Sequence, residues 1–462
     1  MFTADDLIVA SPIRKPVKLP GPVAAANNSV SFKVAPPRRS AVSIFPIRSV
    51  ECDAAGSPAI VDKMVSPRAR LMLPARVAVS IAKISGAVVG IFSKAVSKLF
   101  DRDEFRRDDH KPRNRRLKNM RIGILTGGGD CPGLNAAIRA VVRCALAEDV
   151  KVLGFRNGWL GLVEDDFVEL TRTSVTGILP RGGTILGTSR FNPTSNADSI
   201  ETLTGNWGRH NLSGLIAVGG EGTLSAAREL YVHHQLRVVG IPKTIDNDIN
   251  GTDFTFGFDT AVSVVTDAID RLHSTAESHH RVMVVEVMGR HTGWIAAYGG
   301  IAGGADVVLV PEHPFRISRV CDLLINRQKD GRAFSIVVVA EDAHPHPDEP
   351  FLTDDACAQI YRHDRLGGIG EMLALEIERC TNIQTRVTTL GYVQRGGSPT
   401  AFDRILATRF GIKAYELVRN QEWGQMVAVR GNRIISVPLV EAVGELKKLD
   451  EDIYKVAEVF FG

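Results

Sequence analysis

From Met120 onward the chain repeats one pattern: a short apolar run, a turn rich in glycine or acid, then a helix. Residues 121–126 read as a strand and 127–133 as a turn. Residues 134–147 follow as a helix whose apolar positions fall three and four apart. The unit recurs at 215–218 with a helix over 224–231, at 236–241, and at 282–287 with a helix starting near Thr292. Further strands are expected at 335–339 and 387–390. Strands alternating with helices predict an α/β fold with mostly parallel sheets covered on both faces. Ligands gather beyond the carboxyl ends of such strands. Every polar motif discussed below falls at one of those ends, so a single composite site is expected.

The most specific turn is Pro242-Lys243-Thr244-Ile245-Asp246-Asn247-Asp248. A carboxylate there can take a proton from a hydroxyl, and a second can hold a metal or a charged neighbour. Asp246 is the candidate base, Asp248 a supporting acid and Thr244 an orienting hydroxyl. Two glycine turns flank it. Gly127, Gly128 and Gly129 open a helix, where free amides and the helix dipole favour a phosphate. Gly219, Gly220, Glu221, Gly222 and Thr223 repeat the arrangement with an acid inside, and Glu221 suits Mg²⁺, a hard oxygen-seeking cation. Neither turn is a Walker loop, because no Gly-Lys-Ser/Thr follows. Arg281, Arg290, Arg386 and Arg395 stand at strand ends or turns, and converging guanidinium groups indicate a phosphorylated substrate. Glu341 would accept bonds from sugar hydroxyls, and Arg190 would bridge two phosphates. The chemistry expected is phosphoryl transfer to a hydroxyl.

Five segments carry a family resemblance. They are Leu-Thr-Gly-Gly-Gly-Asp-Cys-Pro-Gly-Leu-Asn-Ala-Ala-Ile-Arg at 125–139, Arg-Gly-Gly-Thr-Ile-Leu-Gly-Thr-Ser-Arg-Phe at 181–191, the heptapeptide at 242–248, Met-Gly-Arg-His-Thr-Gly-Trp at 288–294 and Gln-Arg-Gly-Gly-Ser-Pro at 394–399. Together they resemble the 6-phosphofructokinases, from about Met120 to the end of the chain. The resemblance implies two similar three-layer α/β domains. One, at 120–258, binds the donor nucleotide; the other, at 259–462, binds the sugar phosphate, and its C-terminal segments return to the first. It implies ATP-dependent phosphorylation of the 1-hydroxyl of fructose 6-phosphate in glycolysis, with Mg²⁺, in the cytoplasm. Asp246 falls on the catalytic base, assisted by Thr244, Asp248 and Arg290. The sugar-phosphate site falls on Thr244, Ile245, Asp246, Met288, Gly289, Arg290, Glu341, Tyr392, Val393, Gln394 and Arg395. Arg281 and Arg386 fall on arginines that the family donates from an adjacent subunit, so a homo-oligomer, dimer or tetramer, is implied. The donor site falls on Gly128, Gly129, Arg190, Phe191, Gly220, Glu221, Gly222 and Thr223, with Glu221 as the metal ligand.

Departures from the family pattern are Glu221 for Asp, Tyr392 for His, and His273 and Asp330 in place of basic residues of the family's nucleotide-effector pocket, where Arg139 and Arg143 do match. The donor signature is mixed: Gly222 is typical of ATP enzymes and Lys243 of pyrophosphate enzymes. ATP is the expected donor and pyrophosphate the alternative. A lipid or NAD kinase leaves the arginines and the heptapeptide unexplained. A non-catalytic subunit would have lost Asp246, Gly129 or Gly222.

Charge divides the chain near Met120. Residues 1–118 hold 22 Lys+Arg against 10 Asp+Glu, and the remainder 34 against 42. The basic segment, 1–119, is rich in Pro and Ser and is expected to be an unstructured extension. A cationic helix over 75–100, interrupted by Lys83, is its one candidate element and its one candidate membrane contact. No nucleic-acid partner is expected. The six cysteines are scattered, which predicts reduced thiols, no disulfide framework and no zinc.

Overall fold

The computed structural model describes residues 120–348 and 368–461. The expected extension, with its helix at 75–100, lies outside the described residues.

The first strands are β1 (Arg121–Thr126), β2 (Lys151–Phe155), β3 (Phe167–Leu170), β4 (Gly214–Gly219), β5 (Val238–Thr244) and β6 (Phe256–Gly257). Helices α1 (Leu134–Ala147), α2 (Trp159–Glu164), α3 (Ala197–Arg209) and α4 (Glu221–His234) lie between them. After α5 (Phe258–His279) come β7 (Val282–Val287), α6 (Trp294–Gly303), β8 (Val307–Leu309), α7 (Ile317–Lys329), β9 (Ser335–Ala340), α8 (Ile369–Thr381) and β10 (Thr385–Thr389). Helix α9 (Ala401–Asn420), strands β11 (Gln425–Arg430) and β12 (Arg433–Pro438), α10 (Leu439–Ala442) and α11 (Glu451–Glu458) complete the chain.

Two sheets result. One has eight strands in the order β12-β11-β5-β4-β1-β2-β3, with β6 paired to β5; the other has four in the order β10-β7-β9-β8. The second sheet is parallel throughout, and in the first only β3 and β12 run antiparallel to their neighbours. Central strands β4, β5, β7 and β9 are buried at every position. That explains their continuous apolar runs: a parallel strand has no wet face and needs no polar alternation.

Helix α1 shows why the sequence folds as it does. Leu134, Ile138, Val141 and Val142 are fully buried, each contributing about 1.5–3 kcal/mol by removal from water. Its neighbour α9 approaches so closely that a Cβ on Gly411 would stand 2.6 Å from the Ala137 carbonyl oxygen. Helix α9 therefore belongs against the first sheet, and β11 extends that sheet by pairing with β5.

One expectation is corrected. Cys321 of α7 and Cys380 of α8 form a disulfide, with Cα atoms 6.3 Å apart. They lie 59 residues apart in sequence, and only the packing of α7 on α8 brings them together. Cys131 and Cys144 are free thiols. Among the described residues no helix is long and apolar enough to cross a membrane.

Candidate active site

A cleft of about 1210 Å³ opens between the carboxyl ends of the two sheets. It exceeds the roughly 300–1,000 Å³ of a pocket for one small molecule, which suits two reactants side by side. From the first sheet come the turn after β1 (Gly128, Gly129), the start of α4 (Gly220 to Thr223) and the end of β5 (Lys243, Thr244, Asp246, Asp248). From the second come Met288, Arg290, Glu341, Tyr392 and Arg395, while Arg190 and Phe191 close one side.

The turn bearing Asp246 is held by its own side chains. Asn247 adopts a left-handed conformation, φ 52°, which Asn tolerates better than most residues. Buried, it accepts a hydrogen bond from Thr255 N at 3.0 Å and donates to Asp253 O at 3.3 Å. The flanking carboxylates thereby face the cleft. Thr244 Oγ1 accepts from the Asp246 N–H at 3.1 Å and lies 3.5 Å from Asp246 Oδ2. Burial pushes the Asp246 carboxyl above its ordinary range, opposed by the Arg395 guanidinium, the Thr244 hydroxyl and the Lys243 ammonium. Asp248 is pushed up to about 7 by burial and then by the neighbouring Asp246 charge. Its Oδ1 is buried without a hydrogen-bond partner.

On the first-sheet side, Gly128 takes a positive φ of 78°, a turn that favours glycine. Lys243 passes beneath this turn and donates to the Gly129 carbonyl; burial lowers its pKa. Glu221, in the first turn of α4, accepts from Ser225 Oγ at 2.7 Å. A Cβ on Gly222 would meet nothing within 4 Å. Among the described residues no three His, Cys, Asp or Glu side chains converge as a metal cage.

On the second-sheet side, Glu341 Oε1 accepts from Gly289 N at 3.4 Å, and burial raises its pKa. Arg395 donates to the Asp130 carbonyl at 3.3 Å, linking the two halves of the cleft. Tyr392 is 80% exposed, as a side chain awaiting a ligand or a neighbour would be.

Not every expected site residue lines the cleft. Ile245 is fully buried among core side chains, because alternation along the turn points it away from Asp246. Gln394 is also fully buried; its Oε1 accepts from Met288 N at 3.2 Å and its amide donates to Gly391 O at 3.1 Å. It braces the loop that bears Met288 from behind. Val393 is exposed and off the cleft wall. Arg281 and Arg386 lie at the opposite end of the second sheet, where β7 and β10 begin in register. At about 3.3 Å per residue, Arg281 stands roughly 20 Å and Arg386 roughly 10 Å from the strand ends that line the cleft.

Sequence reasoning missed Glu286, His291, Asp342, Thr389 and Gly368, which also line the cleft. Glu286 was legible as an acid inside the apolar run of β7. Its carboxylate accepts the N–H groups of Gly368 (3.0 Å) and Gly370 (2.8 Å), fixing the start of α8. His291 and Asp342 pair at 3.4 Å on the rim. His273 of the expected effector pocket hydrogen-bonds Gly303 O at 2.8 Å and packs edge-on against Phe334.

Fold and cleft define an α/β protein whose glycine turns and arginines share one pocket. The chain belongs to the phosphofructokinase family, whose model matches residues 121–418. It is 52% identical over 344 residues to the pyrophosphate–fructose 6-phosphate 1-phosphotransferase of Streptomyces coelicolor, covering 74% of this chain and 100% of that one. It is 51% identical over 340 residues to ATP-dependent 6-phosphofructokinase 3 of the same organism, covering 73% and 99%. Among solved structures, phosphofructokinase from Saccharomyces cerevisiae superimposes with a TM-score of 0.61 at 31% identity, over 70% of this chain and 45% of that one. The described chain thus matches somewhat less than half of the yeast polypeptide.

Proposed function

We propose that the protein is an ATP-dependent 6-phosphofructokinase, transferring the γ-phosphoryl group of ATP to the 1-hydroxyl of fructose 6-phosphate. The observation that carries this reading is the Asp246 carboxylate, raised in pKa and held by Thr244 in a cleft that also contains Arg395 and both glycine turns. Asp246 takes the hydroxyl proton as the bond to phosphorus forms, and a raised pKa suits that task near neutral pH. Arg290 and Arg395 hold the sugar phosphate, Glu341 accepts from its hydroxyls, and the amides at Gly129, Gly220 and Gly222 receive the donor phosphates. The residues fit Mg²⁺: Glu221 offers hard oxygens, and Asp248 Oδ1 nearby has no partner. Mg²⁺ usually takes only one or two protein carboxylates and completes its shell with phosphate and water. Bound there, it would neutralise phosphate charge.

In this reading the first sheet, with α9, β11 and β12, forms the donor half and the second sheet the sugar-phosphate half. Arg281 and Arg386 point to a homo-oligomer: placed far from their own cleft, they are available to that of a neighbouring copy. The protein acts in the cytoplasm, in glycolysis.

ATP is favoured by the open space at Gly222, where a side chain would enter the path of a nucleotide. A second reading, pyrophosphate as donor, is favoured by Lys243, a buried cation lining the cleft. Coupled-assay turnover of the purified chain with fructose 6-phosphate, Mg²⁺ and each donor in turn decides between them. Turnover with ATP is expected, and Gly222→Asp should impair ATP use more than pyrophosphate use. Turnover with pyrophosphate alone would reverse the donor, and turnover with neither would remove the reading.

A further inference from the structure

Residues 445–450 form a strap that crosses behind the cleft and is bonded to loops on both sides of it. On one side is the loop that bears Asp246. The Lys447 N–H donates to Asp248 O at 2.9 Å, Leu446 and Ile249 form an antiparallel bridge, and Asn250 Nδ2 donates to Glu445 O at 2.7 Å. The Lys447 ammonium donates to the carbonyls of Thr252 (3.1 Å) and Asp253 (2.8 Å). On the other side is the loop that carries Met288 and Arg290 into α6. Trp294 Nε1 donates to Lys447 O at 3.0 Å, and the ammonium stands 4.9 Å from the Trp294 ring centroid. Two residues on, the Leu449 N–H donates to Glu312 Oε1 at 2.9 Å, and the same carboxylate accepts the Gly293 N–H at 3.0 Å.

Apart from the strap, the two loops are joined by a 3.3 Å hydrogen bond from Thr292 Oγ1 to Asp246 O. Asp246 belongs to the first sheet and Arg290 to the second. The distance between the base and the held sugar phosphate therefore depends on what ties these loops together. Lys447 is the residue where both sets of bonds meet. Its N–H and ammonium serve one loop, while its carbonyl and the ring contact serve the other. It does not line the cleft; apart from the small effect of its charge on Asp248, it acts on turnover through the loops.

We infer that Lys447 is a positioning residue that sets the Asp246 carboxylate against the acceptor hydroxyl by locking the base loop to the sugar-phosphate loop. The inference rests on the reading of Asp246 as the base. The cation suits the place: a neutral side chain leaves two carbonyls without their donor and the Trp294 face without its charge. Arginine keeps charge and donors on a longer stem.

The test compares Lys447→Met and Lys447→Arg with the unaltered full-length protein. It measures kcat, the KM and calorimetric Kd for fructose 6-phosphate, and the fraction of active sites by burst titration. A misplacement near 1 Å can cost about 100-fold. Lys447→Met is accordingly expected to lower kcat about 10- to 30-fold, with KM and Kd changed less than about threefold and the active fraction unchanged. Lys447→Arg should recover most of the loss. Undiminished kcat in Lys447→Met overturns the inference, as does a lower active fraction whose remaining sites turn over at the original rate. Should Lys447→Met not fold, Trp294→Phe removes the Nε1 bond and keeps a ring; a kcat lower by at least about threefold is expected, and an unchanged kcat overturns the inference. Failure of the base assignment reads out separately, as Asp246→Asn retaining turnover.

Discussion

Asp246 and Asp248 share one turn, and each raises the cost of charging the other. Burial acts first on both, and the Asp246 charge then helps bring Asp248 to about 7. Two such carboxylates titrate as a pair. Asp248 takes up a proton as pH falls through about 7; burial raises Asp246 as well, and a protonated base cannot accept the substrate proton. Turnover is therefore expected to fall, approaching about tenfold per pH unit, once the pH is low enough to protonate Asp246. The profile of kcat between pH 5.5 and 8.5 checks this, and Asp248→Asn should move the acid limb to lower pH. A flat profile would show that the pair remains ionised throughout. That the heptapeptide's two acids line the cleft was legible in the sequence, because an acid after a buried run is costly without a task. The inward turn of Ile245 and Gln394 was not, since motif spacing says which residues are near a site but not which way each side chain faces.

At the scale of elements, apolar runs located β1, β4, β5, β7, β9 and β10, and three-and-four spacing located α1. Strands β3 and β12 were missed because they are half-exposed edge strands, where the apolar signal that marks a buried strand is weak; β2, β8 and β11 were missed although most of their positions are buried. The expected helix over 224–231 begins earlier, at Glu221, because its first turn is made of the glycine loop itself. Disulfide Cys321–Cys380 was invisible for another reason: it depends on two helices distant in sequence meeting in space. It joins α7 to α8, whose first turn is fixed to the cleft through Glu286. Closing a loop of this length stabilises the fold by up to about 4 kcal/mol in the chain-entropy treatment. Reduction is expected to lower the melting temperature, read by calorimetry with and without a reductant, while Cys380→Ser should melt at the reduced value whatever the reductant. Equal melting temperatures in all four samples would remove this stabilising role.

For the described residues, the arrangement that matters is two mostly parallel sheets whose carboxyl ends border one cleft. Chain order alone does not produce it: α9, β11 and β12 come after the second sheet yet pack on the first. Because the chain crosses between the halves, the cleft is spanned by backbone and by Arg395. The same geometry places Arg281 just before β7 and Arg386 at the start of β10, two residues apart in register and away from their own cleft. Arg386 lies 3.8 Å from Glu378 at that end. The account as a whole depends on Asp246 being the proton acceptor in the shared cleft. Turnover of Asp246→Asn, measured beside calorimetric binding of fructose 6-phosphate, tests this most directly. Binding should persist while kcat falls about 10²- to 10⁴-fold, whereas turnover equal to that of the unaltered protein would contradict the account.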